Sequence, residues 1–304
     1  VTSYPFLELN YSYTALDGVT TMPVDFYIFS QYLDQAEAHY PSVVDMLGVF
    51  AAGFGEYPFL NEKYGHVHFR STGMEHQTLT SLNFQNYQEW LQSHELAHQW
   101  FGNLVTCDDF HHVWLNEGLA TWCEAYWREI NEGPAAYHSE MAGAAFYGPG
   151  TIFVEDPSDF QVIFDFNLSY RKASWVVHML RGIMGDEAFF AGLRSYLDTY
   201  AHSTAITEQF RDIMEEASGL ELDDFFQRWI YGDGYPKYLF SWDTNEVGGA
   251  TQVTVRLEQT QDEPLFNMPV QFEIQTSDGS EFYTLQNDQR VQFFNYTTNS
   301  EVTD

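Results

Sequence analysis

SHELAHQWFG, residues 93–102, is the stretch on which the reading of this chain turns. It carries His94, Glu95 and His98 in the order H-E-x-x-H. On an α-helix, residues four apart lie on one face, so both imidazoles can reach one cation. Glu95 stands about a hundred degrees round the helix and can address a water on that cation without ligating it. Five positions with three fixed also arise by chance on a solvated helix face, so the motif needs support from elsewhere in the chain.

WLNEGLATW, residues 114–122, supplies it. A hydrolytic zinc site takes three protein ligands and keeps a fourth position open. Glu117, nineteen positions after His98, sits on a second apolar-rich helical segment with Leu115, Leu119, Trp122 and Tyr126. A turn and an antiparallel return bring that carboxylate against the first helix. Two histidines and one glutamate form a catalytic zinc set, and the paired motifs are far more specific than either alone.

HELAHQWFGNLVT followed by WLNEGLATW resembles the gluzincin aminopeptidases, the family of aminopeptidase N and leukotriene hydrolase, whose spacing between the second histidine and the glutamate is the one found here. STGMEHQT (71–78) is similar to that family's G-x-M-E-N exopeptidase motif, with His76 where asparagine is usual. By this resemblance Gly73 and Met74 pair in extended form with a bound peptide. Glu75 binds the free α-ammonium, which fixes the scissile bond one residue from the N-terminus. LSYRKASWVVHMLRGIMGDEAFFAGLRSYL (168–197) resembles the segment carrying the family's oxyanion-stabilising tyrosine, which implies Tyr170 for that role, with Ala173 replacing the usual glycine. GEYPFLNEKYG and FFQRWIYGDGYP extend the resemblance along the chain, which is closest to secreted bacterial members.

The resemblance implies one Zn²⁺ per chain on His94, His98 and Glu117, Glu95 as general base, and peptide substrates with a free N-terminus. An endopeptidase or epoxide hydrolase using the same centre is an alternative, as is a non-catalytic binding module. Relatives carry an N-terminal β-domain ahead of the catalytic domain, so the sequence is expected to be a fragment or a reduced natural form.

Periodicity sets the fold class as α+β. FLELNYSY and MPVDFYIFS read as strands around the turn ALDG, HVHFR as a third strand, and STG as a turn. A helix from about 32 is broken by Pro41 and resumes to Gly55. Helical patterns then fill 86–102, 113–131, 135–146, 169–184, 187–200, 206–217 and 221–231, with Ser169 as a candidate N-cap. After GDGYPKY (232–238) the period changes to two through YLFSW, TQVTVRLEQ, MPVQFEIQ, EFYTLQ and RVQFFNY. The expected organisation is a thermolysin-like, mostly helical catalytic domain with a small N-terminal sheet at 1–235 and a small β-sandwich at 236–304.

Composition narrows the function classes. Acidic residues number 44 against 12 basic ones, a net charge of −32 that repels phosphate backbones and anionic lipid. Nucleic-acid and membrane-surface partners are therefore not expected. The apolar runs are short and broken, so no transmembrane helix is expected, and VTSYPFLELN lacks the form of a signal peptide. Such an acidic surface suits a secreted, marine or salt-exposed protein, or serves solubility alone. Charge by itself does not locate the protein, and a secreted or periplasmic bacterial location is the expectation beside the resemblance. Cys107 and Cys123 can form one bridge or remain buried thiols. Asn10, Asn167 and Asn295 open N-x-S/T sequons, a pattern common by chance. His66, His68, His111, His112, His138, His178 and His202 have no partner at metal spacing and read as structural. Oligomeric state and the preferred N-terminal residue are not encoded in any local motif.

Overall fold

The computed structural model describes residues 6–303; the first half of VTSYPFLELN, the stretch that lacks the form of a signal peptide, lies outside the described residues. The chain divides into two compact units, Val1–Phe146 with Thr151–Leu222, and Tyr147–Gly150 with Asp223–Asp304.

The first unit opens with a mixed sheet. Strands β1 (Phe6–Thr14) and β2 (Thr21–Phe29) form an antiparallel hairpin, closed by Asp17, whose carboxylate accepts from the amides of Val19 and Thr20. β3 (Tyr64–Phe69) lies parallel to β2, and β5 (Thr80–Asn83) parallel to β3. β4 (Gly73–Met74) pairs antiparallel with β5 and forms the sheet edge, in the order β1-β2-β3-β5-β4. STG, read as a turn, thus ends in a short strand, because Gly73 and Met74 register against Leu82 and Ser81. In β2, Met22, Val24, Phe26 and Ile28 alternate into the core as period two requires.

Helices α1 (Leu33–His39) and α2 (Ser42–Phe54) flank Tyr40 and Pro41, since proline cannot continue a helix through its own position. The helical body follows: α3 (Glu89–Ala97), α4 (Trp114–Glu132), α5 (Pro134–Ala144), the single turn α6 (Phe160–Ile163), α7 (Ala173–Met184), α8 (Asp186–Thr199) and α9 (Thr207–Ser218). Short strands β6 (Val105–Cys107) and β7 (Ser203–Ala205) pair in parallel between them. Helix α4 is the central element. Its Trp122 stacks on Tyr126 at 5.3 Å, and both meet Phe54, which also packs edge-on against Trp100 of the segment following α3. Arg181 of α7 lies over the Trp122, Tyr126 and Tyr137 rings while pairing with Glu129 and Asp186. Its charge is thus paired, and its stem covers the aromatic core. Cys107 and Cys123 are both buried free thiols.

Two local features differ from the sequence reading. The segment expected to be helical from 169 begins as a π-helical stretch, Phe166–Lys172, before α7. Its N-cap is Asp165, which accepts from the amides of Asn167 and Leu168, whereas the Ser169 hydroxyl donates to the Ile163 carbonyl at 2.7 Å. Ser169 lies inside that stretch, its amide donating to the Asp165 carbonyl, so the cap falls to Asp165, whose carboxylate reaches two orphan donors of the first turn.

In the second unit, helix α10 (Asp223–Trp229) leads into strands β8 (Tyr238–Val247), β9 (Ala250–Gln259), β10 (Met268–Thr276), β11 (Gly279–Asn287) and β12 (Val291–Thr298). They form two antiparallel sheets, β12-β9-β8 and β10-β11. Val253 and Val255 of the first meet Ile274 of the second in a shared core, with Phe272, Tyr283 and Tyr296 beside them. The compact units divide at Leu222, ahead of the turn near 235 where the periodicity changes. The reason is α10: Trp229 packs on Phe266 at 5.0 Å and its indole N–H donates to Met268 Sδ. Among the described residues no helix is long and apolar enough to cross a membrane.

Candidate active site

The first unit holds a cleft of about 720 Å³ that is lined by Gly73, Met74 and Glu75, by His94, Glu95 and His98, and by Glu117 and Tyr170. The sequence-derived site residues therefore share one cavity. Each arrives from a different element. Helix α3 presents His94 and Glu95, and His98 caps its C-terminal end, its amide still donating to the His94 carbonyl. Glu117 stands in the first turn of α4.

The three proposed ligands converge. His98 Nε2 lies 3.1 Å from His94 Nε2, and Glu117 Oε2 lies 3.4 and 3.3 Å from the two nitrogens. Zinc bonds imidazole and carboxylate at about 2.0–2.2 Å, and tetrahedral angles then put the donors about 3.3 Å apart. The observed triangle has that size, so the donor set fits zinc. The outer nitrogens are held as well: His94 Nδ1 donates to Glu124 Oε1 at 2.9 Å and His98 Nδ1 to the Phe101 carbonyl at 3.0 Å. Those bonds leave both Nε2 lone pairs facing the centre.

The electrostatics call for positive charge at that point. Burial alone lowers the His94 and His98 pKa, but the Glu117 and Glu124 carboxylates beside His94, and Glu117 beside His98, outweigh it and raise both. Burial would raise Glu117, yet the two imidazoles hold it well below the usual carboxylate range. A proton shared among these groups, or a metal in its place, satisfies the same demand.

Glu95 is 6% exposed, and burial pushes its carboxyl up to about 7, with Glu75 and Glu117 adding to the effect and the two histidines opposing it. That places it near the range suited to taking and returning a proton. The carboxylate lies against the backbone of β4: a Cβ on Gly73 would stand 2.0 Å from Glu95 Oε1. Tyr170 projects from the π-helical stretch and stacks on His94 at 6.0 Å, 22° from parallel. π-Helical turns recur at functional sites because the extra residue redirects a side chain. Burial, then the Glu117, Glu75 and Glu95 carboxylates, raises the Tyr170 phenol well above its ordinary value, so it stays a protonated donor.

The remaining histidines have structural partners. His66 is enclosed by the Phe26, Tyr40 and Tyr64 rings, and His68 accepts from the Phe29 amide. His112 contacts the Thr207 hydroxyl and His178 the Tyr137 hydroxyl. Sequence reasoning missed Glu124, although its position seven residues after Glu117 places both on one face of α4.

The family model described as "Peptidase family M1 domain" matches residues 60–229, more than half of the chain. Aminopeptidase M1-B of Oryza sativa subsp. japonica is 36% identical over 217 residues, 67% of this chain and 24% of the relative. Aminopeptidase N of Lactococcus lactis subsp. lactis is 28% identical over 200 residues, 58% of this chain and 22% of the relative. The chain thus spans about a quarter of the length of the curated relatives it matches. Among solved structures, Legionella pneumophila aminopeptidase A in complex with aspartic acid superposes with a TM-score of 0.83 at 17% identity, over 97% of this chain and 36% of that one, a likeness of fold. A mutant M1 zinc metallopeptidase of Deinococcus radiodurans bound to a Tyr-Ser-Ala substrate gives 0.68 at 25% identity, over 77% of this chain and 53% of that one. With the matched segment containing both metal-ligand motifs and Tyr170, the chain belongs to peptidase family M1.

Proposed function

We propose that this chain is the catalytic part of a zinc aminopeptidase that removes the N-terminal residue of peptides. The observation that carries the reading is the convergence of His94, His98 and Glu117 at zinc-ligand spacing in the cleft that also holds Glu75. His94, His98 and Glu117 would hold the zinc, which when bound would supply Lewis-acid polarisation of the scissile carbonyl and of the attacking water. Glu95 takes the proton from that water and returns it to the leaving amine. The Tyr170 phenol donates to the developing oxyanion. Glu75 pairs with the α-ammonium, and the outer edge of β4 offers Gly73 and Met74 backbone to an extended substrate.

The similarity to an aminopeptidase and to a zinc metallopeptidase bound to a tripeptide substrate supports the same reaction class. The test is hydrolysis of an aminoacyl-coumarin alongside an N-acetylated peptide, for the zinc-loaded chain and for Glu95→Gln. Expected is cleavage of the free-amine substrate only, and a variant that keeps zinc but loses turnover. Cutting of the blocked peptide points to an endopeptidase, and full activity in Glu95→Gln removes Glu95 from its role. A secreted or periplasmic location rests on the acidic composition and the resemblance, and immunodetection in medium against cell lysate tests it.

A further inference from the structure

The loop carrying Glu75 is held from two sides, and the two sides differ in what they fix. Up to Met74 the sheet positions the backbone: Gly73 and Met74 register on β5, and the Asn83 amide donates to the Thr72 carbonyl at 2.8 Å. Glu75 is the first residue beyond the strand. Past that point the loop is gripped by two side chains that follow the second ligand histidine. Asn103 Nδ2 donates to the Glu75 carbonyl at 2.8 Å, and Gln99 Oε1 accepts from the Thr78 amide at 2.9 Å.

Both grips lead directly back to the metal centre. Gln99 is adjacent to His98 and fully buried, and the Asn103 amide donates to the His98 carbonyl at 2.8 Å. Thr78 has φ +61°, a left-handed conformation that a β-branched residue adopts only under constraint. The bond to Gln99 is a constraint of that kind. A strained residue three positions from the proposed amine anchor, tied to the residue beside a metal ligand, indicates a span that is enforced.

We infer that Asn103 and Gln99 are positioning residues that set the distance between Glu75 and the metal centre, and with it the one-residue register of cleavage. The inference rests on Glu75 being the amine anchor. Neither side chain touches substrate in this scheme; each acts through the loop. Removing either leaves the ligands and Glu95 in place while letting Glu75 drift, so recognition of the α-ammonium weakens and the metal centre does not.

The test measures inhibition of the zinc-loaded chain by leucine hydroxamate and by its des-amino counterpart, together with zinc content. The ratio of the two affinities reports the amine contact alone. Asn103→Ala, at a half-buried position, and Gln99→Leu are each expected to reduce that ratio by about tenfold, the worth of one well-placed hydrogen bond in a binding equilibrium, with des-amino affinity and zinc content unchanged. A wild-type ratio in Asn103→Ala, while Glu75→Gln collapses it, overturns the positioning role and leaves the amine anchor standing. A wild-type ratio in Glu75→Gln overturns the anchor itself and this inference with it. Parallel loss of both affinities or of zinc shows a purely structural role and also overturns it.

Discussion

Replacing Gly73 by alanine tests the packing of the proposed general base. The added Cβ would stand 2.0 Å from Glu95 Oε1, 2.7 Å from its Cδ and 3.1 Å from its Cγ. Nonbonded carbon and oxygen settle near 3.5 Å, so the carboxylate must move by more than about 1 Å. The fold has little reason to suffer. Gly73 is not among the positive-φ glycines, and the obstructed group is the end of a flexible side chain. A misplacement of about 1 Å at the reacting groups costs on the order of 10²-fold in rate, close to 2.7 kcal/mol of barrier. The expected Gly73→Ala enzyme keeps its zinc and its unfolding midpoint and loses about 10²-fold in kcat. Because the same methyl group borders the substrate path, the mechanism is separated by a double-mutant cycle. If alanine acts by displacing Glu95, then Gly73→Ala adds little to the residual rate of Glu95→Gln. Fully multiplicative losses, or a Gly73→Ala enzyme with wild-type kcat, refute the reasoning.

Three further outcomes follow from the same packing. A Cβ on Gly118 would meet Ala173 Cβ at 2.6 Å where α4 crosses α7. Gly118→Ala should therefore lower stability by about 1–3 kcal/mol in chemical denaturation. Adding Ala173→Gly should recover most of that loss; no recovery means the strain lies elsewhere. Glu124 accepts from His94 Nδ1, so Glu124→Ala should weaken zinc binding by about 10–100-fold in chelator competition, with Glu124→Gln in between. Unchanged affinity in Glu124→Ala contradicts this. Burial, with a smaller contribution from His68, lowers the folded-state pKa of His66 to about 3. The unfolded chain takes that proton first, at about 6.5, so the stability from a neutral His66 is complete above that pH and is lost as pH falls towards 3. At pH 5 the loss is about 2 kcal/mol, and His66→Phe should abolish that part of the difference between urea midpoints at pH 7 and pH 5. Equal acid sensitivity in the two proteins counts against it.

What could be read in the sequence was whatever depends on spacing within one element. His94 and His98 share a face because they are four apart on a helix, and the alternation in β2 and β9 follows from period two. The pairing of Glu117 with those histidines needed one more step, the antiparallel return of α4, and the family resemblance supplied the expectation. The start of the segment carrying Tyr170 was misread for a different reason. Ser169 and Asp165 are both competent N-caps, and a π-helical stretch has no hydrophobic period to mark where it begins, so nothing local shows that Ser169 falls inside it.

The features that make the site exacting are of a third kind, contacts between elements distant in sequence. Glycine at 73 reads locally as freedom for a turn, yet its backbone is not in the left-handed region. What it provides there is the absence of a side chain next to Glu95, twenty-two residues further along the chain. Thr78 shows the converse: a residue with no local reason to be strained takes φ +61°, in a loop tied to Gln99 and Asn103. No periodicity or propensity encodes either fact, because each is a relation between two surfaces that meet only after the sheet edge and α3 have packed. Ala173 belongs with them. Its departure from the glycine that the resemblance implies looks minor in sequence, but its Cβ takes up the space beside Gly118, so the close crossing has no room for a side chain at 118. Substitution at 118 is therefore expected to be less tolerated in this chain than in a relative that keeps glycine at the position of Ala173.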